Sequence, residues 1–381
     1  MFEINWGDLT PEKFLEEYWQ KKPLLIKGGF KNFQDTIEAD ELAGLAMEEE
    51  IESRIIANEN EQNWQVAHGP FEDFSQYGEQ GWTLLVQAAN NWSEQTNQLI
   101  KPFTFIPKWR LDDVMVSFST PNGGVGAHLD QYDVFIIQGS GKRRWQVGLP
   151  DQNLRQLLPH PDLKQVSEFE PIIDEVTEAG DILYIPPNFP HKGVALENAM
   201  NFSVGFQSPN AQELFSVFTD MLIDKEIGED RFLDSDRKVT SKPQLLTNDD
   251  LSALKKFMLN QTEQDDLFAH MAATFLTSSH HALEILVPVE PFTSESVYQY
   301  LMTPEIIVRP VLGIKSLISE HNSDLYINGD RFAILPETEQ LANLLAKTEP
   351  MTTESLKSFT DCLKNTHLLT NVLNSGYWYI D

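Results

Sequence analysis

Cysteine is almost absent from this chain: its 381 residues include one, Cys362. That excludes an internal disulfide and any cysteine-rich metal centre, and it suits a reducing compartment. Cys362 itself is expected as a small buried hydrophobe. Basic residues are also few, 28 Lys and Arg against 58 Asp and Glu, for a formal net charge of −30. A surface of that sign repels nucleic-acid phosphate and anionic lipid and draws basic partners inward, although solubility alone would also account for it. No apolar run approaches the length of a membrane span, and the opening residues mix Glu, Lys and Trp without a signal-peptide pattern. A cytoplasmic protein with no direct nucleic-acid or membrane binding is expected. What is present suffices for a core: hydrophobic residues make up 41% and aromatics 10%, unlike a disordered chain. The length predicts two or three domains.

Thr10 can cap a helix that starts at Pro11 and runs through Phe14, Leu15 and Tyr18-Trp19. Lys21-Lys22-Pro23 stops it, Leu24-Leu25-Ile26 reads as a short buried strand, and Asp40 to Met47 suggests a second helix. From 112 to 207 short strands follow one another. Val114 to Ser119 alternates, Pro121-Asn122-Gly123-Gly124 turns the chain, and His128 to Gln138 is extended up to Gly139-Ser140-Gly141. Lys142 to Val147, Asp181 to Ile185 and Asn201 to Phe206 complete the set, with an excursion through Pro159-His160-Pro161. Such spacing predicts a β-barrel or double-sheet jelly roll.

After Pro209 the pattern turns helical. Asn210 can cap a helix from Ala211 to about Asp224, and two amphipathic helices follow near Asp250 to Leu259 and Asp266 to Leu276. This region can dimerise or simply pack on the barrel. Tyr326 to Phe332, centred on Asn328-Gly329, is a two-residue hairpin signal. Helices before it (Ser294 to Met302) and after it (Glu337 to Ala346, Glu354 to Leu363) give a winged-helix-like order. Residues 288–381 hold six basic and twelve acidic residues, which favours a protein-contact or structural module over DNA binding. The expected division is 1–209, a catalytic barrel with a helical lead-in; 210–285, helical; and 286–381, winged-helix-like.

The candidate chemistry sits in the strands. His128-Leu129-Asp130 places an imidazole and a carboxylate on one face of an extended segment. His191 follows Gly180-Asp181-Ile182-Leu183-Tyr184-Ile185-Pro186-Pro187, where a turn, a buried strand and a rigid proline loop can bring it alongside. Two imidazoles and one carboxylate can hold a divalent metal on one face and leave the other open, as a non-haem iron(II) oxygenase requires. A cupin isomerase or hydrolase would use the same ligands for zinc or manganese. Arg143 shares the apolar face of its strand with Trp145 and Val147, so its guanidinium needs an anionic partner. That partner is either an internal Asp or Glu or the distal carboxylate of a dicarboxylate such as 2-oxoglutarate. Ser117, Asn201 and Ser203 lie on polar faces nearby. His68 and His160 are expected in loops, and His270, His280, His281, His321 and His367 outside the barrel.

The runs Pro121 to Trp145 and Gly180 to Phe206 resemble the JmjC-type, cupin-fold 2-oxoglutarate oxygenases, and Glu16 to Leu25 is similar to that family's amino-terminal segment. The resemblance is strongest to the bacterial ribosomal oxygenases and extends over the whole chain. It implies a mainly β fold with α: a double-stranded β-helix, then a helical dimerisation region, then a winged-helix-like domain. It also implies hydroxylation of a basic ribosomal protein, at the β-carbon of an arginine in the sixteenth protein of the large subunit, by a homodimer. Each subunit would bind one iron(II) through His128, Asp130 and His191, with 2-oxoglutarate and O2 as cosubstrates. Arg143 would take the cosubstrate carboxylate, aided by Ser117, Asn201 and Ser203; Met115, Gln131 and Tyr132 would contact substrate.

Overall fold

The computed structural model describes residues 2–59, 63–360 and 362–381, and the chain falls into two compact units. The first (Met1–Ser208 with Ser279–Val287 and Pro310–Ile314) carries the barrel. Its helices α1 (Pro11–Glu17) and α2 (Ala39–Leu45) flank β1 (Leu24–Ile26). Then come β2 (Ser53–Glu59), β3 (Asn63–His68), β4 (Trp82–Val86), the one-turn α3 (Glu94–Asn97), and β5 (Leu111–Ser119). The remaining strands are β6 (Asp133–Gln138), β7 (Arg143–Gly148), β8 (Gln156–His160), β9 (Leu163–Val166), β10 (Pro171–Thr177), β11 (Ile182–Ile185), β12 (His191–Ala195) and β13 (Ala199–Phe206).

One sheet runs in the order β1-β11-β6-β13-β5-β4-β2-β3, and a smaller one in the order β10-β7-β12. Period-two alternation gives the large sheet two apolar faces. Val114, Val116, Phe135, Ile137, Tyr184, Phe202 and Val204 face the amino-terminal helices, while Val134, Ile136, Leu183 and Ile185 face Trp145 and Val147 of the small sheet. The result is the jelly roll that the strand spacing predicts.

The helical lead-in is keyed to this sheet. Thr10 caps α1 by accepting the Lys13 N–H, and Pro11 fixes the first helical φ. Phe14, fully buried, meets Tyr184 at 4.8 Å and Phe135 at 5.3 Å between ring centres, a burial that stabilises by roughly 2–3 kcal/mol. The Gln20 N–H donates to the Tyr184 hydroxyl at 2.8 Å, and that hydroxyl donates to buried Asp133 at 2.6 Å. Burial raises the Asp133 carboxyl, opposed by hydrogen bonds from Tyr184 and Gln20 and by Arg110.

Several sequence expectations are corrected. The extended run from His128 begins only at Asp133; His128 itself makes an isolated bridge to His191. His68 and His160 lie in β3 and β8 rather than loops, because the excursion around Pro159 is itself the β8–β9 hairpin. Strand β10 escapes the sequence pattern because much of it is exposed. Cys362 is half-buried, since it caps the last helix beside exposed Leu363 instead of filling a core.

The second unit comprises Pro209–Ser278, Pro288–Arg309 and Lys315–Asp381. Helix α4 (Ala211–Asp224) opens with an Asn210–Glu213 capping box. Helices α5 (Asn248–Leu259) and α6 (Asp265–Thr277) follow, with Phe218 of α4 against Phe268 of α6. Next are α7 (Ser294–Leu301), β14 (Ile307–Pro310), β15 (Ser316–Ser319), β16 (Asp324–Ile327), β17 (Asp330–Ala333), α8 (Glu339–Lys347), β18 (Met351–Thr352), α9 (Thr353–Thr360), α10 (Leu363–Asn374) and β19 (Trp378–Ile380). Asn328 and Gly329 take φ of 47° and 89°, the left-handed pair that a tight β16–β17 hairpin demands. The helix expected over Glu354 to Leu363 ends at Thr360, and Asp361 lies outside the described residues.

Candidate metal centre

His128 and His191 are joined through their backbones, each N–H donating to the other's carbonyl at 3.0 Å. Asp130 is fixed by the Asn188 N–H, which donates to its carbonyl at 2.7 Å. His128 and Asp130 therefore project from the loop before β6, and His191 from the first residue of β12; the i, i+2 pair starts at a single bridge residue rather than within a continuous strand. Gly126 makes the first loop possible. Its φ is +81°, and a Cβ there would overlap the Gln165 side chain that donates to the Val125 carbonyl.

Each histidine is oriented locally. Nδ1 of His128 lies 3.0 Å from the Gly126 carbonyl, and Nδ1 of His191 lies 3.0 Å from that of Phe189. With Nδ1–H donating, each Nε2 lone pair is left for a ligand. Those Nε2 atoms stand 3.7 and 3.4 Å from one oxygen, Oδ2 of Asp130. Burial, then the neighbouring His191, pull the His128 pKa down to about 4, so the imidazole is neutral at pH 7. Burial works against the Asp130 charge, but His128, His191 and the Tyr132 hydroxyl outweigh it and hold the pKa at about 2. Two imidazoles and a carboxylate, with donor atoms all within 4.8 Å of one another, fit a divalent metal.

Deeper in the barrel, Arg143 is 5% exposed. One guanidinium nitrogen donates to Ser119 Oγ, which lies 2.9 Å from Thr83 Oγ1, and the Trp145 ring is 5.5 Å away. Arg143 Nε has no partner, and no carboxylate pairs with the guanidinium among the described residues. The internal salt bridge is thus not what balances this charge. Burial lowers its pKa to about 10, leaving it cationic at neutral pH. Trp145 Nε1 and Asn201 Oδ1 are likewise buried without partners, although Asn201 Nδ2 donates to Gln138 at 3.0 Å. The two orphaned donors, Arg143 Nε and Trp145 Nε1, beside one cation suit a polar anion, whereas Asn201 Oδ1 is an acceptor.

Nearer the triad, half-buried Met115 and Ser203 oppose one another across β5 and β13, and Met115 packs with Ile56 and Leu85. The Tyr132 hydroxyl is raised by burial first, then by Asp130 and Asp113. Ser117 is buried one step along the β5 face from Ser119, and Gln131 lies exposed. Sequence reasoning missed Ser119, whose signal was the alternation of Met115, Ser117 and Ser119. It also missed Asp113, on the same face, and placed His281 outside the barrel. Segment Ser279–Val287 belongs to the barrel unit, and His281 Nε2 stands 3.8 Å from Asp113 Oδ2.

A JmjC domain model matches residues 98–214, and a ROXA-like winged helix model matches residues 258–379. The chain is 45% identical to the ribosomal protein uL16 3-hydroxylase of Escherichia coli (strain K12), covering 99% of this chain and 98% of that protein. A probable ribosomal oxygenase of Haemophilus influenzae is 33% identical, covering 84% of this chain and 82% of its own. The structure of YcfD, a ribosomal oxygenase from Escherichia coli in complex with cobalt and 2-oxoglutarate, matches at 41% identity with a TM-score of 0.90 over the whole of both chains.

Proposed function

The chain belongs to the JmjC-domain ribosomal oxygenases, and from that we propose that it is an iron(II)- and 2-oxoglutarate-dependent hydroxylase of ribosomal protein uL16, acting at C3 of an arginine side chain. His128, Asp130 and His191 would hold the iron, which when bound supplies oxygen activation coupled to decarboxylation of 2-oxoglutarate to succinate and carbon dioxide. The observation that carries the reading is Arg143, a buried cation with an unpartnered Nε and no carboxylate partner among the described residues. A guanidinium fork suits the distal carboxylate of 2-oxoglutarate, with the Ser119 hydroxyl already aligned beside it and Asn201 joining through its Nδ2 bond to Gln138 one strand away. A zinc-type isomerase or hydrolase would have no use for that cation.

The substrate follows from charge. A net charge of −30 attracts a basic ribosomal protein and disfavours direct nucleic-acid binding. Inside the mouth, Asp113 shares a strand face with Met115 and is buried, so it is suited to pair with an arginine guanidinium whose stem lies against Met115 and Tyr132. Gln131, exposed at the rim, would contact the flanking peptide. We place the enzyme in the cytoplasm, where its substrate is made. We also divide it as barrel (1–209), helical region (210–285) and winged-helix-like domain (286–381), save that Ser279–Val287 returns to the barrel unit, with dimerisation through the helical region. Support for the dimer is the exposure of Phe215 and Ile223 on α4.

The test is mass spectrometry of unmodified uL16 after incubation with the enzyme, iron(II), oxygen and 2-oxoglutarate, with 2-oxoglutarate omitted or His191→Ala as controls. A cosubstrate-dependent gain of one oxygen on an arginine is expected. Succinate without that gain would discard the substrate and keep the oxygenase; neither product would discard both.

A further inference from the structure

We infer that His281 is a positioning residue for the substrate pocket, holding the Asp113 carboxylate in the orientation that selects a guanidinium. This rests on the reading of Asp113 given above and adds a residue to it. Asp113 Oδ2 accepts the Ala88 N–H at 2.7 Å. A Cβ on Gly205, in the adjacent β13, would sit 3.4 Å from the other oxygen, so Oδ1 is turned toward the barrel interior. His281 reaches the anchored oxygen from behind: its Nε2 is 3.8 Å from Oδ2, and its Nδ1 is 3.8 Å from Oε2 of Glu52. Asp112 completes the group. An imidazole set among three carboxylates turns an N–H dipole toward them, which keeps Asp113 from rotating away from its task. The spacing exceeds a direct hydrogen bond, so the contact acts through the N–H dipole facing the carboxylate.

The juxtaposition is built rather than incidental. Asn90 Oδ1 accepts the Val114 N–H at 2.7 Å, Asn90 Nδ2 donates to Asn91 Oδ1 at 2.9 Å, and Asn91 Nδ2 donates to the Ala282 carbonyl at 3.0 Å. Both asparagines are buried. The residue after Asp113 and the residue after His281 are thereby tied through two amide side chains. Nor is the imidazole there to fill the core. It borders a cavity of about 210 Å³ lined also by Glu52, Gln87 and Ala88, and its side chain keeps 19% of its exposure. Removing it sacrifices little packing, so its contribution should read out in recognition.

The experiment compares binding of a uL16-derived arginine peptide with its citrulline counterpart, using full-length protein loaded with manganese and 2-oxoglutarate without oxygen. Wild type should prefer arginine. His281→Ala should lose about tenfold in arginine affinity, the worth of one charge-assisted contact, with citrulline binding unchanged. His281→Gln, which keeps an N–H donor, should recover most of it. In turnover, KM for the arginine substrate should rise while kcat shifts by no more than about twofold. Equal weakening of both peptides, failure of Gln to rescue, or an unchanged His281→Ala would overturn the inference alone. A second metal equivalent in wild type, lost in His281→Ala, would overturn it in favour of a cation site. No arginine preference in wild type would sink the reading of Asp113 and the inference together.

Discussion

Replacing Arg143 with methionine, a side chain of similar length without charge, should move stability and cosubstrate affinity in opposite directions. Without 2-oxoglutarate the guanidinium has one hydroxyl acceptor, an aromatic ring at 5.5 Å and an unpartnered Nε. A hydrogen bond to a charged group returns about 1.5–3 kcal/mol and the ring roughly 0.5–2 kcal/mol, against a burial penalty of several kcal/mol. Arg143→Met should therefore stabilise the ligand-free protein by roughly 1–3 kcal/mol. A unit of this size gains roughly 2–4 °C in Tm per kcal/mol. With 2-oxoglutarate the sign reverses, because the cosubstrate carboxylate would be buried unpaired. A loss of about 3–5 kcal/mol corresponds to a rise of roughly a hundred- to a few-thousandfold in its KM. Thermal unfolding with manganese, with and without 2-oxoglutarate under nitrogen, reads the first effect, and succinate formation reads the second. Burial holds the Arg143 pKa at about 10, so the wild-type KM should stay flat below about pH 9 and climb as the cation is lost above it. If Arg143→Met melts below wild type without 2-oxoglutarate, or gains as much from it, the guanidinium is not waiting for this anion.

Three further outcomes follow from the geometry. His191→Ala removes one donor of the triad, and metal affinity by titration should fall at least about a hundredfold with little change in Tm. Gly126→Ala forces a Cβ into φ +81° and against Gln165, which should cost about 1–3 kcal/mol in urea unfolding and weaken metal binding by displacing His128. A double change of Phe215 and Ile223 to Asp, on the exposed face of α4, should leave a folded monomer by light scattering; a persistent dimer would place the interface elsewhere.

What the sequence disclosed depended on range. Local chemistry was readable: the Thr10 and Asn210 caps, the Asn328-Gly329 hairpin, and the alternation that buries Arg143, Trp145 and Val147 while exposing Arg144. The meeting of His128, Asp130 and His191 was readable from their turns, with His191 opening β12; only the strand expected at His128 is reduced to an isolated bridge. Strand β12 was hidden because Gly193 interrupts its pattern; a Cβ there would strike the Trp145 ring at 2.7 Å. Alternation alone could not choose between Ser117 and Ser119, because depth in the barrel is set by register, and Thr83 pairs with Ser119. The return of His281 to Asp113 spans more than two-fifths of the chain, and no periodicity encodes such a contact.

The keying of the amino-terminal segment to the large sheet also sets an order of events during synthesis. Leu24 to Ile26 pair with Tyr184 to Ile182, and Phe14 and Gln20 find their partners in Phe135, Asp133 and Tyr184. At roughly 5–20 residues per second those partners emerge some 10–30 s after the segment itself. For that interval a stretch holding Trp6, Phe14, Trp19, Phe30 and Phe33 has only its own rings to pack against. The part of the chain made first is thus among the last to be satisfied, and the nascent protein should lean on chaperones until β11 and β13 have left the ribosome.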